Sequence, residues 1–421
     1  MFSLIEAKNF RCLRYVSRPL DRFHVLVGPN ASGKSTFLDV VTFLGTLVSD
    51  GLEAAVGLWT DNFVDLVWGR RDEPFELAIE AVIPADRLEN TSQKRFTTVR
   101  YEICVGSEEG TKQVALLAER VLLKETEIPS VPPCQQALFP FPPAPPDSIL
   151  SPVRTTGTRT IVNKVRGGND NFYSEAYDQP GKGWAVNFKL GAQKSALGNL
   201  PEDESKFPVS TWLKSLLAEG VQKIVLNSLL MRKASPPGQT RRFKADGSNL
   251  PWVVEGLRTD SPSRFREWIS HLATALTDLQ DVRTIEREDD RHRYLMLKYH
   301  GGLEVPSWVA SDGTLRLMAL TLPAYLEGVR GVFLIEEPEN GIHPRAVETL
   351  YQSLSSVYDA QVLVATHSPT ILSLVEPKSV LCFAKTQEGA TDVVTGEEHP
   401  RLRDWRREEN LSVLFAAGVL G

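Results

Sequence analysis

Residues His24 to Phe37, HVLVGPNASGKSTF, restrict what this chain can become more than any other stretch of it. A short apolar strand runs into Gly28-x-x-x-x-Gly33-Lys34-Ser35, and a helical pattern begins directly afterwards. Strand, glycine-rich turn and helix start, in that order, form the context of a phosphate-binding loop; a chance Gly/Ser turn matches the pattern without needing those flanks. Gly28 and Gly33 let the backbone turn tightly and present successive N–H groups. The helix opening near Lys34 adds the positive end of its dipole, so the loop cradles β- and γ-phosphates. Asn30 lies within this cradle and Lys34 adds a point charge. The Ser35 hydroxyl is placed to ligate Mg²⁺, and Thr36 is close enough to touch the α-phosphate.

With 421 residues the chain has room for two or three domains, and 42% hydrophobic with 24% charged residues is an ordinary globular composition. A formal net charge of -6 argues against a surface coated for nucleic acid. A local basic face, for instance around Arg241, Arg242 and Lys244, keeps nucleic-acid contact open, although most such clusters are simply solvated. Cys12, Cys104, Cys134 and Cys382 show no C-x-x-C spacing, which suggests neither a zinc site nor a disulfide framework. No signal peptide or membrane-length apolar run is apparent, so the expected compartment is the cytoplasm and no membrane partner is expected.

Three segments are expected. Residues 1–90 form the first half of a nucleotide-binding head, with strands before the loop, a helix from Ser35 to Val48 and a strand in FELAIEAVI. Residues 91–300 read as an insertion: strands at YEICV and VALLAERVLL, an extended surface loop over 129–152 with nine prolines, hairpins from Arg154 to Leu190, and a helix over Arg264 to Leu279. No heptad repeat is sustained, which excludes a long coiled coil. Residues 301–421 complete the head. A loop leads to a helix starting at Ser311 to Thr314; the buried strand GVFLIEE, a helix with Pro344 in its first turn, and the strand QVLVATHSP follow. Strands alternating with helices imply a mainly parallel sheet with the site at its carboxyl ends.

A phosphate-binding loop needs acid at the end of a partner strand. Glu336 and Glu337 follow VFLI, which places Glu336 beside Mg²⁺ and Glu337 where it can polarise an attacking water. His367 closes a second buried strand, where an imidazole can donate to a γ-phosphate. Alternatives are a solvated turn for the acids and a structural histidine.

Together KNFR (Lys8 to Arg11), GPNASGKST (Gly28 to Thr36), SDGTLRLMAL (Ser311 to Leu320), LIEEPENGIHP (Leu334 to Pro344) and ATHSP (Ala365 to Pro369) resemble the ABC-type ATPase superfamily, in its SMC-like branch. The resemblance implies an α/β fold: an ABC-type head with a mainly parallel sheet, an antiparallel β lobe and a mixed α/β insertion. It implies ATP and Mg²⁺ as ligands, Glu337 as catalytic glutamate, Glu336 as metal-associated acid and His367 as switch histidine. It also implies that Ser311, Gly313 and Thr314 bind the γ-phosphate held by a second subunit, giving a homodimer with two enclosed ATP molecules. Glu339 to His343 would then form a loop crossing to that subunit. Two departures stand out: the metal-associated acid is Glu where the family usually has Asp, and Thr60 to Asp72 contains no Gln for the usual metal-contacting loop.

The insertion is too long for a transporter domain and too poor in heptads for chromosome-organising relatives. That leaves OLD-like and RecF-like ATPases, and the motifs look most like stand-alone prokaryotic ATPases of OLD-like, PARIS and AbiL-type anti-phage systems. About 50 residues follow His367, too few for the Toprim nuclease of OLD proteins, so an effector of nuclease or toxin type is expected as a separate protein. The apolar tail after Arg401–Arg407 suits either that partner or the chain's own core. A RecF-like DNA repair ATPase and an ATP-binding scaffold with little turnover are the alternatives.

Overall fold

The computed structural model describes residues 1–399 apart from 89–94, 109, 111, 126–143, 153–154 and 177–184. Two sheets enclose one helix. The first sheet has six strands in the order Val221–Ile224, Gly331–Glu336, Ala360–Ala365, Phe23–Val27, Val380–Lys385 and Thr391–Thr395. All but the last pair in parallel. The second is an eight-stranded antiparallel sheet ordered Leu13–Pro19, Phe2–Phe10, Phe75–Val82, Phe96–Ser107, Val114–Glu125, Thr158–Val165, Asp170–Tyr173 and Ala185–Phe188. A small antiparallel sheet of Leu279–Glu286, Arg293–Tyr299 and Glu304–Pro306 completes the architecture. This is the expected mixed α/β head, and among the described residues no helix continues as a coiled coil.

Period-two alternation explains how the parallel sheet buries both faces. Leu26, Val332, Leu334, Leu363, Leu381 and Phe383 face one apolar core, which they share with the helix Lys34–Ser49 and the antiparallel sheet. Their neighbours Val25, Val27, Phe333, Ile335, Val362 and Val364 face a second core, built with the helices Leu250–Asp260, Pro262–Ala275, Asp312–Thr321 and Val347–Ser355. The helix Lys34–Ser49 has 12 of its 16 residues buried, so it is clamped between sheets rather than laid on a surface. Phe43 meets Phe10 and Phe75 of the antiparallel sheet, whereas Phe37 meets Phe383 of the parallel one. The helix that starts at the phosphate loop is therefore held from both sides.

Several expectations need correction. The boundary at residue 90 does not separate structural units, because Phe75–Val82 pairs along its length with Phe96–Ser107. The segment assigned to an insertion also returns Val221–Ile224 as the edge strand of the parallel sheet. The helix expected over Arg264 to Leu279 ends at Ala275, and Leu279 already begins a strand. The proline-rich loop falls mostly outside the described residues, but its end is no free surface loop. Buried Glu76 accepts from the Ile149 N–H and the Ser148 hydroxyl, and buried Glu102 accepts from the Ser151 N–H and hydroxyl. The carboxyl-terminal tail after residue 399 lies outside the described residues. Among those described, no helix is long and apolar enough to cross a membrane.

One buried amide ties the two sheets together. Gln361 is fully buried; its Oε1 accepts from the Phe2 N–H at 3.0 Å, and its Nε2 donates to the carbonyls of Phe2 and Asp21, each at 2.8 Å. An apolar replacement leaves these backbone groups without partners in a site closed to water. Gln361→Leu is expected to lower stability by about 2–4 kcal/mol, measured by chemical denaturation. A change below about 0.5 kcal/mol would show that the amide does not join the sheets.

Candidate nucleotide-binding and hydrolysis site

The phosphate loop leaves the central strand Phe23–Val27 at the carboxyl end of the sheet. Two positions there demand glycine. Gly28 has φ +149° and a Cβ on it would lie 2.2 Å from the Phe383 carbonyl oxygen. At Gly33, with φ +106°, a Cβ would lie 2.3 Å from the Thr391 hydroxyl, which itself donates to the Ser32 carbonyl at 2.9 Å. The strand Thr391–Thr395 thus braces the loop from outside. Gly33 caps the helix without any side-chain bond, which leaves the first-turn N–H groups to an anion. Lys34 folds back, its Nζ donating to the Gly28 and Pro29 carbonyls at 2.8 and 2.9 Å. Burial pulls its pKa down, and Glu337 and Glu336 oppose that shift. Thr36 is buried and accepts from the Cys12 thiol at 3.3 Å.

Both acids arrive where the pattern placed them. Glu336 ends the strand Gly331–Glu336, and Ser35 Oγ donates to its Oε2. Lys223 Nζ lies 2.7 Å from Glu336 Oε1 and 3.2 Å from Asp39 Oδ1, while Arg11 holds Asp39 Oδ2 at 2.5 Å. Burial pushes the Glu336 carboxyl up, but the hydrogen bonds from Lys223 and Ser35 more than offset it and hold the group below the usual carboxylate range. Glu337 sits at φ +47°, a left-handed conformation that costs a non-glycine residue energy and recurs at functional sites. Its N–H donates to the Ala365 carbonyl at 2.7 Å, and its carboxylate accepts from Asn340 Nδ2. His367 lies across the same cavity. Burial and the Lys34 charge lower its pKa, which leaves a neutral imidazole near pH 7.

Asn30, Lys34, Ser35, Glu336, Glu337 and His367 all border one cavity of about 480 Å³. Gly33 and Thr36 border it too. Among the described residues no group of three or more His, Cys, Asp or Glu forms an all-protein metal cage. The Ser35 hydroxyl and the Glu336 carboxylate, already in contact, are hard oxygen donors of the kind Mg²⁺ accepts when substrate phosphates and water complete its shell. The donor set therefore fits the ion.

Ser311, Gly313 and Thr314 do not border this cavity. Ser311 is exposed and caps the helix Asp312–Thr321, its Oγ accepting from the Thr314 N–H at 3.1 Å. A Cβ on Gly313 would lie 2.4 Å from the Gly341 carbonyl oxygen, so the helix start rests directly on the backbone that follows Glu337. Glu339, expected on a loop crossing to another subunit, turns inward instead. Its carboxylate accepts from the Thr366 hydroxyl at 2.6 Å and from the His367 N–H at 3.1 Å. It thereby positions the histidine within its own chain. Sequence reasoning also missed Lys223, Asp39 and Thr391. Asp39 left a trace, as a lone acid inside the apolar helix TFLDVVTFL that had to find a cation; Lys223 left none.

Known proteins share the family pattern and the fold of this chain. Residues 23–92 and 171–373 match the family described as "AAA domain, putative AbiEii toxin, Type IV TA system". The crystal structure of an Smc head bound to the C-terminal winged-helix domain of ScpA superposes with a TM-score of 0.53 at 12% identity, covering 94% of this chain and 97% of that one. An Smc head with an extended coiled coil, bound to the C-terminal domain of ScpA derived from Pyrococcus furiosus, gives 0.49 at 12% identity over 94% and 96% of the two chains. With more than half of its residues matched, the chain belongs to this AAA family, and its fold is that of an ABC-type, SMC-like ATPase head.

Proposed function

We propose that the protein is an ATP-hydrolysing dimeric switch that governs a separate effector, of nuclease or toxin type, in prokaryotic anti-phage defence in the cytoplasm. One observation carries the reading. Lys34, Ser35, Glu336, Glu337 and His367 converge on one cavity, while the exposed Ser311 and the half-buried Gly313 and Thr314 at the start of its helix stay outside it. A cavity that has its base and its cation but lacks those donors is completed by a second copy. The family description, with its toxin–antitoxin wording, supports the defence context. That an Smc head of this fold is seen bound to a winged-helix domain supports a separate protein partner.

In this reading the Gly28–Gly33 loop and Lys34 bind the phosphates, and Lys34 exchanges its two carbonyl partners for phosphate oxygens. Ser35 and Glu336 would hold Mg²⁺, which would supply positive charge to the phosphates when bound. Glu337, kept in place by Asn340 and by its strained backbone, orients the attacking water and takes its proton. The neutral His367 donates an N–H to the γ-phosphate, aimed by Glu339 through the adjoining backbone. From the partner, the Ser311 hydroxyl and the amino-terminal end of its helix close over the same phosphate. ATP joins the subunits, and hydrolysis lets them part.

Two experiments test this. Glu337→Gln keeps the shape of the site but removes the base, so ATP turnover should fall about 100-fold or more while ATP with Mg²⁺ traps a dimer visible by light scattering. Unchanged hydrolysis would remove Glu337 from the mechanism. Lys34→Ala and Ser311→Arg should each abolish turnover alone. Mixed one to one, they form heterodimers with one intact shared site, and about a quarter of wild-type activity should return. A mixture as silent as its components would rule out a site built from two chains.

A further inference from the structure

The carboxylate assigned to the metal already holds a cation. Lys223 reaches it from the edge strand Val221–Ile224, with Nζ 2.7 Å from Glu336 Oε1, while the Ser35 hydroxyl takes Oε2. The same ammonium lies 3.2 Å from Asp39 Oδ1. The two ion pairs are unequal in setting. Lys223 and Glu336 are each about a third exposed (32% and 31%), whereas the Asp39 side chain is only 4% exposed and is also gripped by Arg11. A pair a third exposed is screened by solvent; a buried carboxylate cannot release its counter-charges without a large desolvation cost. Lysine suits such an asymmetric bridge, being a compact charge on a flexible stem that can lean toward either partner.

We infer, resting on the nucleotide reading above, that Lys223 is a placeholder cation: it neutralises Glu336 while the site lacks Mg²⁺, and yields that carboxylate to the Mg²⁺ of incoming Mg²⁺–ATP by withdrawing onto Asp39. Three consequences follow from charge alone. Without nucleotide, Lys223 keeps Glu336 and Asp39 from repelling each other across the start of the Lys34–Ser49 helix. If ATP enters without a divalent ion, the ammonium remains on Glu336 and adds positive charge near the phosphates. If ATP enters with Mg²⁺, ammonium and metal compete for one carboxylate, and part of the metal's contribution to binding is used to displace the lysine. Lys223 is thus a positioning residue for Glu336, and it sets how strongly ATP affinity depends on Mg²⁺.

The test is equilibrium binding of a ribose-labelled fluorescent ATP to the full chain, once in EDTA and once in Mg²⁺. In Lys223→Met, affinity in EDTA should drop while affinity in Mg²⁺ holds or rises, so the enhancement by Mg²⁺ should grow about fivefold or more over wild type. Lys223→Gln is the second variant should the methionine protein fail to fold, with the same expectation. Lys223→Arg keeps the charge on both carboxylates and should show an enhancement no larger than wild type. A purely structural role for Lys223 would lower both affinities together; an unchanged or smaller enhancement in the Met or Gln protein, or a larger one in the Arg protein, overturns the inference. Wild type that binds no ATP even in Mg²⁺ would instead overturn the nucleotide reading itself, so the two failures are distinguishable.

Discussion

Everything at the site depends on where one five-residue strand lies. Phe23–Val27 sits between Ala360–Ala365 and Val380–Lys385, in parallel register with both. Parallel pairing puts the carboxyl ends of all three strands, and of Gly331–Glu336 beyond them, at one edge of the sheet. That alone carries residues near position 28 to a common cavity with residues near 336 and 367, although Ser35 and Glu336 are 301 positions apart in the chain. The pairing is held by burial on both faces, since Val25 and Val27 pack into one core and Leu26 into the other. A polar residue on either face would leave the residues at these strand ends where they no longer meet.

The antiparallel sheet is the second support. It presses the Lys34–Ser49 helix onto the parallel sheet through Phe10, Phe43 and Phe75, so the helix start cannot drift relative to Glu336. Charge inside that lobe is handled in the same way as at the site, by saturation. Arg100 is ringed by Glu6, Glu80 and Glu102, and the fully buried Glu119 accepts from Tyr101, Ser195 and the N–H groups of Ala196 and Leu197. Groups so fully bonded specify one arrangement of strands, because any slip leaves several of them unpaired at once.

Much of this was legible in the chain itself. The strand–loop–helix at His24 to Phe37, the acid pair after VFLI and the histidine after QVLVA each announce themselves through a short-range pattern, since the chemistry needs those residue types at fixed spacing next to a strand end. The helix start at Ser311 to Thr314 was legible for the same reason, and the structure adds that Ser311 caps it. The boundary drawn at residue 90 went astray because pairing between Phe75–Val82 and Phe96–Ser107 is a contact between strands, which composition does not record. The proline-rich stretch read as free loop, because prolines forbid helix and sheet but say nothing about the buried Glu76 and Glu102 that capture its end.

By itself, then, the sequence determined the local pattern: which glycine-rich turn links strand to helix, which acids follow which strand, and where the helix at Ser311 to Thr314 begins. These depend on neighbours along the chain, within reach of backbone geometry and residue type. Only the tertiary structure decided that Val221–Ile224 returns to the edge of the parallel sheet and sets Lys223 against Glu336 and Asp39, that Glu339 turns inward to hold His367, and that Ser311 does not border the cavity of its own chain. Those are distances between segments far apart in the chain, set by how two cores close around one sheet, and no local pattern encodes them.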